Sequence, residues 1–431
     1  MHKQEKQALL PQLRFPEFRE AGEWTNSLLG KLLIGSPDYG VNAAAVPFAD
    51  NLPKYLRITD ISEDGQYLPD KRVSVDLDAT DENYLDKGDI VLARTGASVG
   101  KSYRYREEDG KLVFAGFLIR VKPDPRLLIS TYLANFLTTD QFWKWVAVTS
   151  ARSGQPGINS TEYGSLAIPL PPNFTEQQKI ADCLASLDEL ITLEAQQLVT
   201  LKTHKKGLMQ QLFPAEGETL PKLRFPEFRD AGAWEGKPLV RVCKVLQGYG
   251  FPEVLQGKSA GKYPFCKVSD ISRAVAENGG LLAESTNYVG DDELSKLRAK
   301  LIPKGATVFA KIGEALRLNR RAYVQKECLI DNNAVGLKAI DGVADDYFIY
   351  LLSQLIDLNK HCGGAVPSVN KSTLEEIEVV VPDPDEQVRI ADNLASLDDL
   401  ITAQTQKLAA LKSHKKGLMQ QLFPVLDEVD A

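Results

Sequence analysis

The sequence predicts an α/β (α+β) fold in which two similar globular domains are joined by two long coiled-coil helices. A 39-residue segment at 176–214 recurs at 386–424 without a gap, and 28 of the 39 aligned positions are identical. A shorter segment at 10–18 recurs at 220–228, again with a shift of 210 residues. Between the repeats, short apolar runs of period two alternate with helical stretches, which is typical of a mixed helix-and-sheet domain. Because the order of the parts is cyclic, it allows a pseudo-twofold axis.

The repeats divide the chain into two equivalent halves. The predicted parts are a lead segment at 1–24, a first domain at 25–171, a first spacer helix at 172–214, a repeated lead segment at 215–234, a second domain at 235–382 and a second spacer helix at 383–431. The two domains share a skeleton but little sequence: KGDIVLARTG at 87–96, for example, aligns with KGATVFAKIG at 304–313. Helices that keep one partner stay alike, whereas domains that read different targets are free to diverge.

Each long repeat predicts one helix of roughly 57 Å with a narrow apolar seam. Its apolar residues alternate at spacings of four and three, as the a and d positions of a coiled coil do. The seam residues include Leu184, Leu187, Ile191, Leu198, Leu201 and Leu208 in the first copy and Leu394, Leu397, Ile401, Leu408, Leu411 and Leu418 in the second. Polar seam positions, Glu194 and Lys205 with their repeats Gln404 and Lys415, fix register, so each helix is expected to pair with the other. Thr175 is the predicted N-cap of the first helix.

These helices have two possible roles. They form either a bundle that only holds a domain together or a spacer that sets the distance between the two domains. The segment HKKGLMQQLFP is identical in both copies, including positions expected on the exposed face. This favours the spacer.

Composition and cysteine usage indicate a cytoplasmic protein. The chain is 43% apolar and 25% charged, and its five cysteines are scattered with no CxxC pair. This pattern argues for a reducing compartment and against a zinc site or a disulfide framework. The N-terminal sequence lacks the apolar core of a signal peptide, and no apolar run reaches the ~20 residues of a membrane span. We therefore expect no membrane partner.

Charge is distributed unevenly along the chain. The formal net charge is −7, yet residues 296–326 contain nine Lys or Arg and a single acid. An acidic protein with a local basic patch is suited to place one face on a polyanion and other faces on proteins.

Motifs for catalysis are not found in the sequence. RTGASVGKS at 94–102 resembles a phosphate-binding loop, but Thr95 stands where the first glycine is required. The histidines have no metal-ligand spacing, and no nucleophile elbow, dinucleotide fingerprint or amino-methyltransferase segment is present. The sequence therefore predicts a non-catalytic protein with no metal or cofactor of its own.

A basic turn follows the same predicted strand in both domains, with Tyr103, Tyr105 and Tyr323 interleaved. Such a mixture is typical of nucleic-acid surfaces, where cations meet phosphates and aromatic rings meet sugars or bases. The DNA-binding candidates are Arg57, Arg94, Lys101, Arg104, Arg152, Gln155, Lys267, Lys311, Arg317, Arg320, Arg321 and Lys371. The alternative is a solvated basic turn. For Asn159 and Asn370 we favour helix capping over a base contact.

Several segments together resemble one family over essentially the whole chain. They are LRFPEF in both lead segments, the junctions PLPPNFTEQQKIADCLASLD and PDPDEQVRIADNLASLDDLI, the strand and turn DIVLARTGASVGKS, and KKGLMQQLFP at both helix ends. The sequence resembles the DNA-specificity subunits of Type I restriction–modification systems. The resemblance implies that the two domains are target-recognition domains, each reading one part of a bipartite double-stranded DNA site, and that the two helices pair antiparallel.

The same resemblance implies the partners. Two methyltransferase (modification) subunits would dock on the helices, and restriction (translocase–nuclease) subunits would join the larger complex. S-adenosylmethionine, ATP and Mg²⁺ chemistry would belong to those partners alone. The alternatives are a stand-alone DNA methyltransferase or nuclease with an unrecognised active site, and a scaffold that binds only protein.

Overall fold

The structure, a computed structural model, describes residues 9–151, 154–364 and 366–425. It consists of two compact units. The first unit contains the chain up to Leu193 together with the residues from Leu408 onward, and the second runs from Glu194 to Lys407. Each unit therefore holds one globular domain and a part of both long helices.

The domain of the first unit combines two sheets with short helices. Its strands are β1 (Thr25–Leu28), β2 (Asp38–Tyr39), β3 (Ala45–Pro47), β4 (Lys54–Leu56), β5 (Val73–Val75), β6 (Ile90–Ala93), β7 (Ser102–Arg104), β8 (Leu112–Phe114), β9 (Leu118–Val121) and β10 (Ala167–Leu170). Its helices are α1 (Ser130–Phe136), α2 (Asp140–Thr149) and α3 (Ser160–Gly164), and α4 (Phe174–Leu212) begins in this unit. One sheet has the order β2-β9-β6-β7 and the other β3-β5-β4-β8, while β1 pairs with β10.

All four side chains of strand β6 are apolar and buried. The strand can therefore lie in the interior of the domain, with both of its faces covered. Successive side chains of a strand point to opposite faces. Ile90 and Leu92 accordingly pack in the cluster that includes the helices, whereas Val91 and Ala93 pack in a second cluster around Tyr103. Burial on both faces fixes the strand, and the residues that follow Ala93 emerge at a defined edge of the sheet.

The domain of the second unit repeats this plan with one five-stranded and one three-stranded sheet. Its strands are β11 (Glu235–Pro238), β12 (Cys243–Gln247), β13 (Tyr263–Cys266), β14 (Leu281–Leu282), β15 (Tyr288–Val289), β16 (Thr307–Ala310), β17 (Ala322–Val324), β18 (Leu329–Ile330), β19 (Ala334–Ala339) and β20 (Glu378–Val381). Its helices are α5 (Val268–Glu277), α6 (Asp291–Leu297), α7 (Glu314–Arg317), α8 (Asp346–Leu355) and α9 (Lys371–Glu375), and α10 (Pro384–Leu422) begins in this unit. The sheets have the orders β12-β19-β16-β17-β14 and β15-β13-β18, and β11 pairs with β20. In β16, the counterpart of β6, Val308 and Phe309 again pack in different clusters.

The two long helices pair in antiparallel fashion within each unit. In the first unit Asp188 of α4 lies 2.6 Å from Lys415 of α10, and in the second Asp398 of α10 lies 2.6 Å from Lys205 of α4. Each ion pair is the repeat image of the other. The predicted seam residues are buried (Leu184, Leu198, Leu394, Ile401) or half-buried (Leu187, Ile191, Leu201, Leu208, Leu397, Leu408, Leu411, Leu418). The predicted pairing of the two repeats is confirmed.

The C-terminal end of α4 packs into the second domain, and the C-terminal end of α10 packs into the first. Met209 and Phe213, at the end of α4, belong to the core of the second domain. Met419 and Phe423, at the end of α10, belong to the core of the first. Burial of these residues explains in part why HKKGLMQQLFP is identical in the two copies. The sequence alone points only to the positions expected on the exposed face.

The start of α4 differs from the prediction. The N-cap at Thr175 is wrong, because the helix begins at Phe174 and the Asn173 Oδ1 accepts hydrogen bonds from the Thr175 amide at 3.0 Å and hydroxyl at 2.6 Å. Glu176 instead forms a bidentate ion pair with Arg14 of the lead segment, with both distances 2.7 Å. The α10 helix begins at Pro384, one residue after the start of the predicted segment 383–431.

Glu194 and Gln404, which occupy the same position of the repeat, contact each other. Gln404 Nε2 donates to Glu194 Oε2 at 2.5 Å and to the Glu194 carbonyl at 2.9 Å, and Lys407 Nζ lies 2.6 Å from Glu194 Oε1. The hydrogen bonds from Lys407 and Gln404 lower the pKa of Glu194 below its ordinary value. This contact therefore stabilises the fold above the ordinary Glu pKa and is lost as the pH falls through the lowered one.

Gln404→Glu is expected to reverse this pH dependence. A second carboxylate would face Glu194, and repulsion between them would raise both pKa values. Melting temperature should then fall at neutral pH and recover as the pH drops towards about 4, where protonation removes the repulsion. Gln404→Leu is the matched control, since it removes the hydrogen bond without adding charge. If the melting temperatures of the two variants changed in the same way between neutral pH and about pH 4, the prediction would be contradicted.

Candidate nucleic-acid interface

A turn and a loop meet at the edge where β6 ends. The turn starts at Arg94, directly after the last residue of β6, and the loop covers residues 154–159. The Gly96 amide donates to the Pro156 carbonyl at 3.0 Å, and the Ile158 amide donates to the Arg94 carbonyl at 2.9 Å. The two segments therefore form one continuous surface.

Arg94 lies among aromatic residues on this surface. Its guanidinium stands over the Tyr39 ring at 4.9 Å from the centroid, and its amide donates to the Phe117 carbonyl at 3.0 Å. Tyr39 is 44% and Phe117 60% exposed. The Tyr39 hydroxyl accepts a hydrogen bond from the Ser160 amide at 3.2 Å. Hydrogen bonding to the Ser160 side chain and amide, together with the charge of Arg94, lowers the pKa of Tyr39. We call Tyr39, Arg94 and Phe117 the Arg94 patch.

Other candidates of the first domain are held by neighbouring groups. Asp60 accepts hydrogen bonds from Arg57 Nε at 2.9 Å and Nη2 at 2.7 Å, and these bonds raise the pKa of Arg57. Lys101 Nζ lies 2.7 Å from Glu63 Oε1. Arg104 is half-buried and Gln155 is exposed. Arg152 lies outside the described residues.

The second domain repeats the turn and loop. Lys311, at the position of Arg94, directly follows β16, and its carbonyl accepts a hydrogen bond from the Val369 amide at 2.9 Å. The Gly313 amide donates to the Pro367 carbonyl at 2.8 Å. Lys311 Nζ donates to Gln247 Oε1 at 3.1 Å. Both domains therefore present a cation at the same strand end, braced by the same kind of loop.

The remaining cations of the second domain lie at varied depths. Arg317 is exposed and lies 3.4 Å from Glu314, and Lys371 is exposed and lies 3.4 Å from Glu375. Two others are half-buried: Lys267, which donates to Gln256 at 2.5 Å, and Arg320. All four candidates keep part of their side chain accessible.

Arg321, one of the predicted DNA-binding residues, is buried. It is only 4% exposed, its guanidinium lies 4.4 Å from the Phe309 ring centroid, and Nη2 donates to Asn319 Oδ1 at 3.1 Å and to the Ile356 carbonyl at 3.2 Å. Burial lowers the pKa of Arg321 to about 10. The predicted DNA contact of Arg321 is therefore wrong, and the residue ties α8 to the sheet.

The aromatic residues predicted to line the surface are also internal. Tyr103 and Tyr105 are buried, and the Tyr103 hydroxyl donates to Asp109 at 2.7 Å. Tyr323 packs against Tyr347 at 5.0 Å between ring centroids. The exposed aromatic residues near Arg94 are instead Tyr39 and Phe117, which the sequence did not single out. The one available signal was the match of Tyr39-Gly40 with Tyr249-Gly250.

The two loop asparagines at equivalent positions of the two domains are helix caps, as expected. Asn159 Oδ1 accepts a hydrogen bond from the Glu162 amide at 2.9 Å, and Asn370 Oδ1 accepts one from the Thr373 amide at 2.8 Å. Both caps fix the loop that braces the basic turn.

Within residues 9–151, 154–364 and 366–425, no cluster of three or more His, Cys, Asp or Glu side chains is arranged to hold a metal ion. Within the same ranges, no helix has both the length and the apolar character that crossing a bilayer requires.

Comparison with known proteins identifies the family. The family described as Type I restriction modification DNA specificity domain matches residues 47–203 and 232–413, so that both halves are covered. The chain belongs to this family. As a specificity subunit it recognises DNA sequence within a restriction–modification complex and is not a catalytic subunit.

Individual relatives are distant but extend over most of the chain. A putative type I restriction enzyme MjaX specificity subunit of Methanocaldococcus jannaschii is 27% identical over 78% of this chain and 77% of its own length. The MjaVIII specificity subunit of the same organism is 22% identical over 83% of this chain and 84% of its own length. The crystal structure of a Type-I restriction-modification S subunit from M. genitalium has a TM-score of 0.62 at 15% identity, covering 97% of this chain and 100% of that one. That likeness supports the predicted fold class.

Proposed function

We propose that this specificity subunit recognises a bipartite double-stranded DNA site, with one half-site contacted by each globular domain. The observation that carries the proposal is the cation at the same strand end of both domains, at Arg94 and Lys311, braced each time by a loop. Accessible cations supply the phosphate attraction on which DNA affinity depends. The loops differ in sequence, GQPGIN in one domain and AVPSVN in the other, which suits two different half-sites.

We further propose that the long helices dock two methyltransferase subunits and that restriction subunits join through them. Supporting this, the helices present exposed apolar side chains away from their seam in each unit: Leu190 and Leu193 in the first unit, and Val199 and Leu400 in the second. Exposed apolar patches on a helix surface commonly mark protein-binding sites. S-adenosylmethionine, ATP and Mg²⁺ would be carried by those partners and no cofactor by this chain. A cytoplasmic location would give the complex access to DNA.

Methylome sequencing of a host with and without the chain tests the proposed function. The expected result is a modified motif made of two half-sites separated by a fixed spacer, present only when the chain is expressed. A single continuous motif, or no change on removing the chain, would contradict it.

Lys311→Ala is expected to weaken DNA binding by the assembled complex and to make it less dependent on salt. Each lost phosphate contact removes about 0.9 from the slope of log affinity against log salt concentration. Titrations of labelled target DNA at several salt concentrations measure both quantities. Lys222→Ala removes an exposed charge from the lead segment and is the control. Affinity of Lys311→Ala equal to that of the control at moderate salt would remove Lys311 from the interface.

A further inference from the structure

We propose that the Arg94 patch reads a guanine in the half-site of the first domain, with Arg94 as the specificity-determining residue and Tyr39 as the residue that positions it. Phe117 would pack on the adjacent base. The proposal rests on the proposed function, because it assigns a base to one cation of the DNA-contacting surface. It goes further in separating base reading from phosphate binding within that surface.

Tyr39 restricts the orientation of Arg94. The guanidinium stands over the ring at 4.9 Å, and the ring is itself fixed by the hydrogen bond from the Ser160 amide at the start of α3. An arginine stacked on an aromatic face loses less freedom on binding than one in solvent. An oriented arginine presents two donors in a fixed planar fork, which can contact the O6 and N7 atoms of guanine together.

Arg94 also retains donors for a ligand. Within the described residues, the Arg94 guanidinium makes one long side-chain hydrogen bond, from Nη1 to the Gly116 carbonyl at 3.5 Å, and Nη2 makes none, while Nε is buried away from any ligand. Arg57 and Arg120 of the same domain are different, since each forms a two-nitrogen contact with a carboxylate, Asp60 and Asp38 respectively. Those two arginines are already satisfied by the protein, whereas no carboxylate of the described residues forms such a contact with Arg94.

The surroundings of Arg94 suit a base rather than a phosphate. Tyr39 and Phe117 are both exposed beside it and offer flat apolar surface. Bases and the thymine methyl group make favourable contacts with such surface, whereas phosphates are contacted mainly by polar and charged groups. A lysine or a hydroxyl would be expected in place of Phe117 if the site bound only the backbone.

The second domain has a different arrangement at the equivalent position, the end of β16. Lys311 donates to Gln247, and the hydroxyl of Tyr249, the counterpart of Tyr39, accepts a hydrogen bond from the Lys300 amide. Lysine is a point charge without the planar fork. We therefore assign phosphate binding to Lys311 and base reading to Arg94, which makes Lys311 the matched comparison.

The experiment uses the full-length chain assembled with its modification subunits and a target duplex in which each guanine in turn is replaced by 7-deazaguanine. This base lacks the N7 acceptor. For the unsubstituted chain, one position in one half-site should reduce affinity by about 2- to 12-fold, because one of the two hydrogen bonds of a bidentate contact is lost. For Arg94→Ala, affinity is lower overall and the same replacement has no further effect. Lys311→Ala should keep the full 7-deazaguanine effect.

Arg94→Lys supplies the second measurement. It retains the charge, so the salt slope should stay unchanged while discrimination against the other three base pairs falls at that position. Tyr39→Leu should lose the same discrimination, whereas Tyr39→Phe should keep it, with melting temperatures verifying that each variant folds. The proposal is overturned if no guanine position couples to Arg94, or if Arg94→Lys binds every sequence as the unsubstituted chain does. If neither Arg94→Ala nor Lys311→Ala weakens binding, the proposed DNA surface itself is wrong.

Discussion

Arg224→Ala is expected to lower the free energy of unfolding of the second unit by about 3–5 kcal/mol. Arg224 forms a bidentate pair with Glu386 at 2.8 and 2.6 Å, and the two side chains are 10% and 2% exposed. Its Nη1 also donates to the carbonyls of Ala231 and Gly232. The variant would leave a buried carboxylate without its partner, which is the costly way to break an ion pair.

The repeat supplies a matched variant for this test. Arg14 pairs with Glu176 in the first unit at the same two positions, so Arg14→Ala should destabilise that unit comparably. Amide hydrogen exchange in increasing denaturant, analysed separately for the two units, measures the stability of each unit in each variant. Lys360→Ala, which breaks an exposed ion pair with Glu216, is the control and should change little. If Arg224→Ala destabilised the second unit no more than this control, the buried pair would not anchor the lead segment.

Inserting one heptad into both long helices is expected to lengthen the spacer between the half-sites while leaving their sequences unchanged. The insertions belong after Gln196 and Gln406, because the neighbouring contact of Glu194 with Gln404 shows that equivalent positions face each other there. Equal insertions in the two antiparallel helices then keep the original seam contacts matched on both sides of the inserted segments. Seven residues add ~10.5 Å and keep the seam in phase to within about 20°, whereas four would rotate it by about 40°.

The expected size of this effect is large. At 3.4 Å per base pair, the insertion corresponds to roughly three additional base pairs. Affinity for the original site should fall towards non-specific binding, by about a thousandfold or more. Binding selection from a library with varied spacers measures the new optimum. A heptad in α4 alone is the control, since it mismatches the seam and should destabilise the helix pair. Altered half-site letters with an unaltered spacer would contradict the spacer role.

The helix pairing was predictable because its determinants are local and periodic. Alternating spacings of four and three place Leu184 and Leu394 on a seam whatever the rest of the chain does. The polar seam positions were informative for the same reason, and Lys205 and Lys415 each meet an aspartate of the other helix. The repeat itself indicated which helix would be the partner.

The candidate site was predictable only in outline. That both turns are basic follows from the sequence, but the depth of each cation depends on residues far away in the chain. Arg321 is buried because the Ile356 carbonyl, 35 residues later, and the Phe309 ring surround it. Similarly, the importance of Arg94 depends on Tyr39, which precedes it by 55 residues and reaches it only through the pairing of β2 with β9. No local pattern encodes such contacts.

The exchange of helix ends between the domains sets an order for synthesis. The second unit is continuous in sequence, and Phe213, which stacks on Phe348 at 5.3 Å between centroids, leaves the ribosome before the domain that it completes. The first unit is interrupted, and its aromatic cluster at Tyr132 needs Phe423, at 5.0 Å. The core of the first domain therefore stays incomplete while more than 200 further residues are translated, until α10 and Phe423 have been made.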